Sequence, residues 1–97
     1  MLVLITYDVS TASNDGRTRL RKVSKLCVNY GQRVQNSVFE CSIDPAQLVS
    51  IKHELNKIIN HTEDNIRIYH LGKNWIRKVE SLGRNDSYNP DTDVLML

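Results

Sequence analysis

The stretch that most constrains the fold is Leu2–Asp8, Leu-Val-Leu-Ile-Thr-Tyr-Asp, an apolar run that ends abruptly in a carboxylate. A run this short, rich in β-branched and aromatic residues and without apolar/polar alternation, predicts a strand buried on both faces. Such a strand belongs in the middle of a sheet. Asp8 then stands where the central strand leaves the core, a place where a fold holds a charge rigidly within reach of solvent. It is the first candidate functional residue.

Residues 9–16 are small and polar and read as a loop with helix-starting chemistry near its end. Apolar residues then recur at Leu20, Val23, Cys27 and Tyr30, the spacing of one helix face. Gly31 is expected to cap that helix at its C-terminus. Arg17, Arg21 and Lys25 fall four residues apart on a stripe that the apolar face turns toward water, with Arg19 and Lys22 beside it. The formal net charge of +2 is too small to argue for a polyanionic partner, but six of the 13 Lys and Arg lie between Arg17 and Arg33 with no acid among them. That segment suits contact with phosphates and carries no code for bases. A cationic face that is merely solvated is the plainer alternative.

Residues 32–43 predict two short strands joined by a tight turn at Asn36. Asp44-Pro45-Ala46-Gln47 is a helix start, with Asp as N-cap, Pro at the first helical position and Gln three residues on to bond back. Leu48, Ile51, Leu55 and Ile58 carry the helical period, and a further strand follows over Asn65–Leu71, ending at Gly72. The order β-α-β-β-α-β favours an α+β, ferredoxin-like split βαβ sandwich: a four-stranded antiparallel sheet with both helices on one face. With central strands apolar on both sides, the uncovered face needs a partner, most simply a second copy, so a homodimer packed through the sheets is expected. The ferredoxin-like domain is taken as residues 1–72 and a C-terminal extension as 73–97. Within the extension, residues 73–80 read as a helical turn or short strand and 82–91 as a loop. The apolar ending 94–97 reads as a strand exchanged with the partner subunit.

Ninety-seven residues make one domain of modest stability, and 40% apolar with 25% charged residues is ordinary globular composition. No stretch approaches the roughly 20 apolar residues of a membrane span. The run at residues 2–5 is too short for a signal peptide's apolar region and has no basic segment before it, so a cytoplasmic location is expected. Cys27 and Cys41 have no Cys or His at metal-ligand spacing and read as buried reduced thiols.

The chain has no phosphate-cradling glycine motif, serine nucleophile elbow or His-Glu-x-x-His. His53, His61 and His70 are scattered and read as surface or packing residues. What remains is Asp8 with the cations, the combination phosphodiester chemistry needs: a hard metal ion held by oxygens and flanked by Lys and Arg on the phosphates. One Asp binds such an ion weakly, but a two-fold axis near the ends of the central strands would bring two copies of Asp8 together. Asp8 as a cap for the following loop is the competing reading. Trp75 beside Arg77 and Lys78 would stack on a base or serve the dimer interface.

Leu-Ile-Thr-Tyr-Asp-Val at 4–9, the Arg-x-Arg-Leu-Arg-Lys-Val helix, and Tyr-Gly-Gln-Arg-Val-Gln-Asn-Ser-Val-Phe-Glu-Cys at 30–41 resemble the CRISPR-associated Cas-two family, closest to type I-C variants. The resemblance runs over essentially the whole chain. It implies a homodimer with an exchanged C-terminal strand that bridges dimers of the Cas-one integrase and holds duplex DNA during spacer acquisition. It also implies a metal-dependent endonuclease acting on single-stranded RNA or double-stranded DNA, using Mg2+ or another divalent cation such as Mn2+. Asp8 matches the family's metal-binding and catalytic aspartate. Arg17, Arg19 and Arg33 match basic positions near nucleic acid, which Arg21, Lys25, Arg77 and Lys78 extend. Tyr7, Ser37 and Phe39 match residues by the active-site cleft. Where many relatives carry a second acid soon after the Tyr-Asp pair, this chain has Ser-Thr-Ala-Ser-Asn, and its next acid is Asp15. Two other functions compete: a non-catalytic DNA-binding scaffold, and a ferredoxin-like module that senses a small ligand.

Overall fold

Side-chain alternation along the first strand decides where the rest of the chain packs. The computed structural model describes residues 1–72 and 78–84, without the Lys78 side chain. Strands β1 (Leu2–Asp8), β2 (Gly31–Gln35), β3 (Val38–Ser42), β4 (Asn65–Leu71) and β5 (Lys78–Gly83) form one antiparallel sheet in the order β2-β3-β1-β4-β5. Helices α1 (Asn14–Val28) and α2 (Pro45–Ile58) supply the other layer. Val3, Ile5 and Tyr7 point into the core, where Val23 and Cys27 of α1 and Leu48, Ile51 and Leu55 of α2 meet Phe39, Cys41, Ile66 and Ile68 from the flanking strands. On the opposite side of β1, Leu4 is buried too, as is its β4 neighbour Tyr69. The strand buried on both faces is therefore present, at the centre of the α+β architecture expected from the element order.

Local chemistry sets the helix starts. Ser13 caps α1, its hydroxyl accepting from the Gly16 N–H at 3.2 Å. Asp44 and Gln47 make a reciprocal capping box for α2, with bonds of 2.7 and 2.9 Å and Pro45 in the first turn, satisfying two donors that the helix itself leaves unpaired. The end of α1 differs from expectation. Its C-cap is Asn29, in ordinary right-handed conformation, and Gly31 opens β2 instead. Glycine stands there because β3 comes close: a Cβ at residue 31 would lie 1.9 Å from the Glu40 carbonyl oxygen.

Residues 78–83, read in the sequence as the end of a short element and the start of a loop, form one strand that takes in Leu82 and Gly83. Side chains fix it to the domain. Glu80 accepts from Lys52 of α2 and pairs with His70 Nε2 at 2.6 Å. Burial raises the Glu80 carboxyl, but the bonds from Lys52 and His70 outweigh it and hold the carboxyl below its usual range. Trp75, Arg77 and the terminal segment 94–97 lie outside the described residues. Among the described residues, no helix is long and apolar enough to cross a membrane.

Cys27 and Cys41 are free and buried, with Cys41 Sγ donating to the Cys27 carbonyl at 3.6 Å. Burial, reinforced by the neighbouring Cys41, pushes the Cys27 thiol up to about 12. Burial and then Glu40 raise Cys41. Since the thiolate is the reactive form, a disulfide exchange reagent at pH 8 should label neither cysteine in the native protein and both in denaturant, read as absorbance of the released thiol.

Candidate active site

Three chain segments come together at the C-terminal end of β1, and a buried carboxylate holds them. Asp64, just ahead of β4, is 0% exposed. One of its oxygens accepts from the Tyr7 hydroxyl at 2.5 Å, Arg19 Nε at 2.7 Å and the Asn60 backbone N–H at 2.9 Å, and the other accepts from Arg19 Nη2 at 3.1 Å. The cluster ties β1, α1 and the α2–β4 turn into one unit. Burial alone would raise the Asp64 carboxyl, yet the bonds from Arg19, Tyr7 and Asn60 prevail and lower it. Tyr7 moves upward, through burial and then its bond to Asp64. No buried side-chain polar atom among the described residues lacks a partner.

Asp8 is the last residue of β1 and 66% exposed. Its carboxylate is met by the guanidinium of Arg84, a residue that the sequence pattern did not single out. Arg84 is fixed at several atoms. Its N–H donates to the Asp64 carbonyl at 2.6 Å, its carbonyl accepts from Asn65 Nδ2 at 2.6 Å, and Nη1 donates to the Glu63 carbonyl at 3.1 Å. Gly83 makes the approach possible, with φ of +89° and only 2.4 Å between a would-be Cβ and the Asp64 carbonyl oxygen.

Ser37, in the turn between β2 and β3, accepts the Tyr7 N–H on its backbone carbonyl at 2.8 Å, which brings the turn to the residue before Asp8. Tyr7 and Phe39 are core residues, at 2% and 0% exposure. The structure thus places them behind the site, with Tyr7 on Asp64 and Phe39 beneath the Arg33 guanidinium, 5.7 Å from its ring centroid.

The cations divide. Arg17, Arg21 and Lys25 of α1 line a groove of about 450 Å³ with Leu20, Ser24 and Arg33 of β2. Arg17 Nη1 donates to the Thr11 carbonyl at 3.1 Å and Arg33 Nε to the Asn36 carbonyl at 2.8 Å, which orients both. Eight helical residues from Arg17 to Lys25 span about 12 Å, roughly the axial length of three to four phosphates on one strand of a duplex. Arg19 faces elsewhere: its guanidinium is 15% exposed and held by Asp64, with Glu63 at 3.4 Å. Arg77 is outside the described residues, and Lys78 is placed by its backbone alone, in β5. Asp8 is not among the groove residues, but α1 and β2 both run to the end of the sheet where it stands. Among the described residues no group of three or more His, Cys, Asp or Glu could hold a metal. Among these residues Asp8 is a lone carboxylate met by the Arg84 guanidinium, and the class of cation such a residue suits is the hydrated Mg2+ type, which takes one or two carboxylates, phosphate oxygens and water.

The family model described as CRISPR associated protein Cas2 matches residues 1–79. The chain belongs to the Cas2 family. Among curated Cas2 proteins, the CRISPR-associated endonuclease Cas2 of Halalkalibacterium halodurans is 60% identical over 95 residues, covering 98% of this chain and 99% of the relative. The CRISPR-associated endoribonuclease Cas2 of Nitratidesulfovibrio vulgaris is 48% identical over 96 residues, covering 99% and 94%. In three dimensions the chain resembles the crystal structure of Streptococcus pyogenes Cas2 at pH 6.5, with a TM-score of 0.74 and 65% identity over 77% of this chain and 90% of that one. The α+β sheet with two helices is thus the Cas2 fold, and the names of the curated Cas2 relatives agree with the expected phosphodiester chemistry.

Asp64→Asn should destabilise the protein by about 3–5 kcal/mol, because it leaves Arg19 beside a neutral amide in a largely dry site. By calorimetry that is a fall in Tm of more than about 12 °C. The wild-type carboxylate is depressed in the folded state, so its stabilisation is fully present above the unfolded value near pH 4 and is lost as pH falls through the lower native value. Denaturation followed from pH 6 to pH 2 should show a shallower acid limb in Asp64→Asn, with Glu80 supplying part of what remains.

Proposed function

We propose that this Cas2 protein acts as a homodimeric, metal-dependent endonuclease in CRISPR spacer acquisition, binding nucleic acid along the α1–β2 groove and cutting it at Asp8. The supporting observation is the convergence of Arg17, Arg21, Lys25 and Arg33 on one groove, in a family whose curated members are named endonucleases and endoribonucleases. The groove gives phosphate contacts without base readout, which suits duplex DNA or single-stranded RNA taken irrespective of sequence. Asp8, at the end of a rigid central strand, holds Mg2+ or Mn2+, and a second copy of the chain packed through the sheets contributes its own Asp8. The cation supplies Lewis-acid stabilisation of charge on the phosphoryl oxygens. Asp8 positions it, Ser37 borders the site, and the groove orients the strand, while Lys78 and, next to it in the chain, Arg77 add phosphate contacts away from the groove, since β5 lies on the opposite edge of the sheet from β2. The extension 73–97 carries the exchanged strand, and the dimer bridges the Cas-one integrase.

A non-catalytic scaffold is favoured by a different observation: Asp8 stands outside the groove and its charge is matched by Arg84. Binding and cutting are therefore separable. Asp8→Asn, purified free of contaminating nucleases, should keep its sedimentation as a dimer and its affinity for duplex DNA while losing cleavage of RNA and DNA, as wild type does in chelator. Full cleavage by that variant would leave the scaffold as the function. Replacing Arg21 and Lys25 by Gln should weaken binding to all sequences alike and lower the slope of log affinity against log salt by about 2, measured by fluorescence anisotropy.

A further inference from the structure

The Asp8–Arg84 contact has no evident stabilising purpose. Its partners are 66% and 40% exposed, and an exposed ion pair contributes between nothing and about 1 kcal/mol. Arg84 is nevertheless built in with unusual care: N–H on the Asp64 carbonyl, carbonyl on Asn65 Nδ2, Nη1 on the Glu63 carbonyl, and a left-handed glycine directly before it. Asn65, which holds its carbonyl, is itself 2% exposed and pairs in register with both Asp8 and Gly83. The carboxylate thus hangs from the last row of a rigid sheet and the guanidinium from the residue just after that row, and they meet at its solvent-exposed end.

The geometry points to Arg84 as a phosphate-binding residue of the Asp8 site, stored on the Asp8 carboxylate until a phosphodiester takes its guanidinium. This rests on the reading of Asp8 as the cation-binding carboxylate. A guanidinium fork matches a phosphodiester's two non-bridging oxygens as well as it matches a carboxylate, so an exposed pair can exchange partners while both backbones stay fixed. The exchange leaves Asp8 free for a divalent cation, and places a fixed positive charge where the phosphoryl oxygens gain negative charge. Without nucleic acid, Arg84 and the cation compete for the same carboxylate. With it, they act on the same phosphate.

The opposition between those two states provides the test. In full-length Arg84→Gln, Mn2+ binding without nucleic acid, followed by loss of the free-ion electron paramagnetic resonance signal, should be about 5-fold tighter than in wild type, while kcat/KM for cleavage falls by about 100-fold. Arg84→Lys, which keeps the charge and loses the fork, should be intermediate in both and serves as the probe if Arg84→Gln does not fold. Unchanged Mn2+ affinity with unchanged cleavage overturns the proposal. Tighter Mn2+ binding with undiminished cleavage also overturns it, since Arg84 then only blocks Asp8. Asp8→Asn in the same assay keeps the two readings distinguishable. If that variant cleaves fully, the role given to Asp8 has failed. If it is inactive while Arg84→Gln behaves as wild type, the role given to Arg84 alone has failed.

Discussion

Asp64 is the residue on which the end of the sheet that carries Asp8 and Arg84 depends. A carboxylate taken wholly out of water is tolerable only when its lone pairs are met by strong donors, and here Tyr7, Arg19 and the Asn60 N–H meet them. Those donors come from the central strand, the first helix and the turn before β4. The backbone of the same residue receives the N–H of Arg84 and excludes any side chain at residue 83. One residue thus links the core of the sheet to the two charged groups at its rim. The charge network is as much a packing device as the apolar layer beneath it.

The two charged regions are built differently. In the groove, cations from α1 and β2 stand side by side, held by short-range geometry: four-residue spacing along a helix and bonds to nearby turn carbonyls. At the strand end, opposite charges from residues 8 and 84 meet through the sheet register. The first arrangement suits contact with many phosphates at once. The second, with Arg84 exchanging partners as proposed, suits contact with one.

That difference also explains what could be read from the chain. The central strand, the hairpin around Asn36, the Asp44–Gln47 capping box and the cationic stripe are local patterns, and each was legible because its cause lies within a few residues. Asp64 and Arg84 were not. Glu63-Asp64 looks like an exposed acidic turn until Arg19, 45 residues away, is brought to it. Arg84 follows a glycine in what reads as a loop, and its partner lies 76 residues earlier. Gly31 misled for a related reason: its small size answers to a neighbouring strand, not to the end of its own helix. Arg19 has the spacing of its neighbours on the basic helix, and only the fold separates it from them.

The pairing of Asp8 with Arg84 bears on how a polyanion first meets the protein. A bare carboxylate at the mouth of a site repels an approaching strand over roughly a Debye length, about 8 Å at physiological salt, and slows encounter where rate is set by long-range attraction. With its charge matched, the strand end shows an incoming polyanion little field of its own, and the groove's four cations dominate the approach. Under the proposed function, encounter would run along the helix first and reach the Asp8 end afterwards, an ordering in time that no single residue encodes.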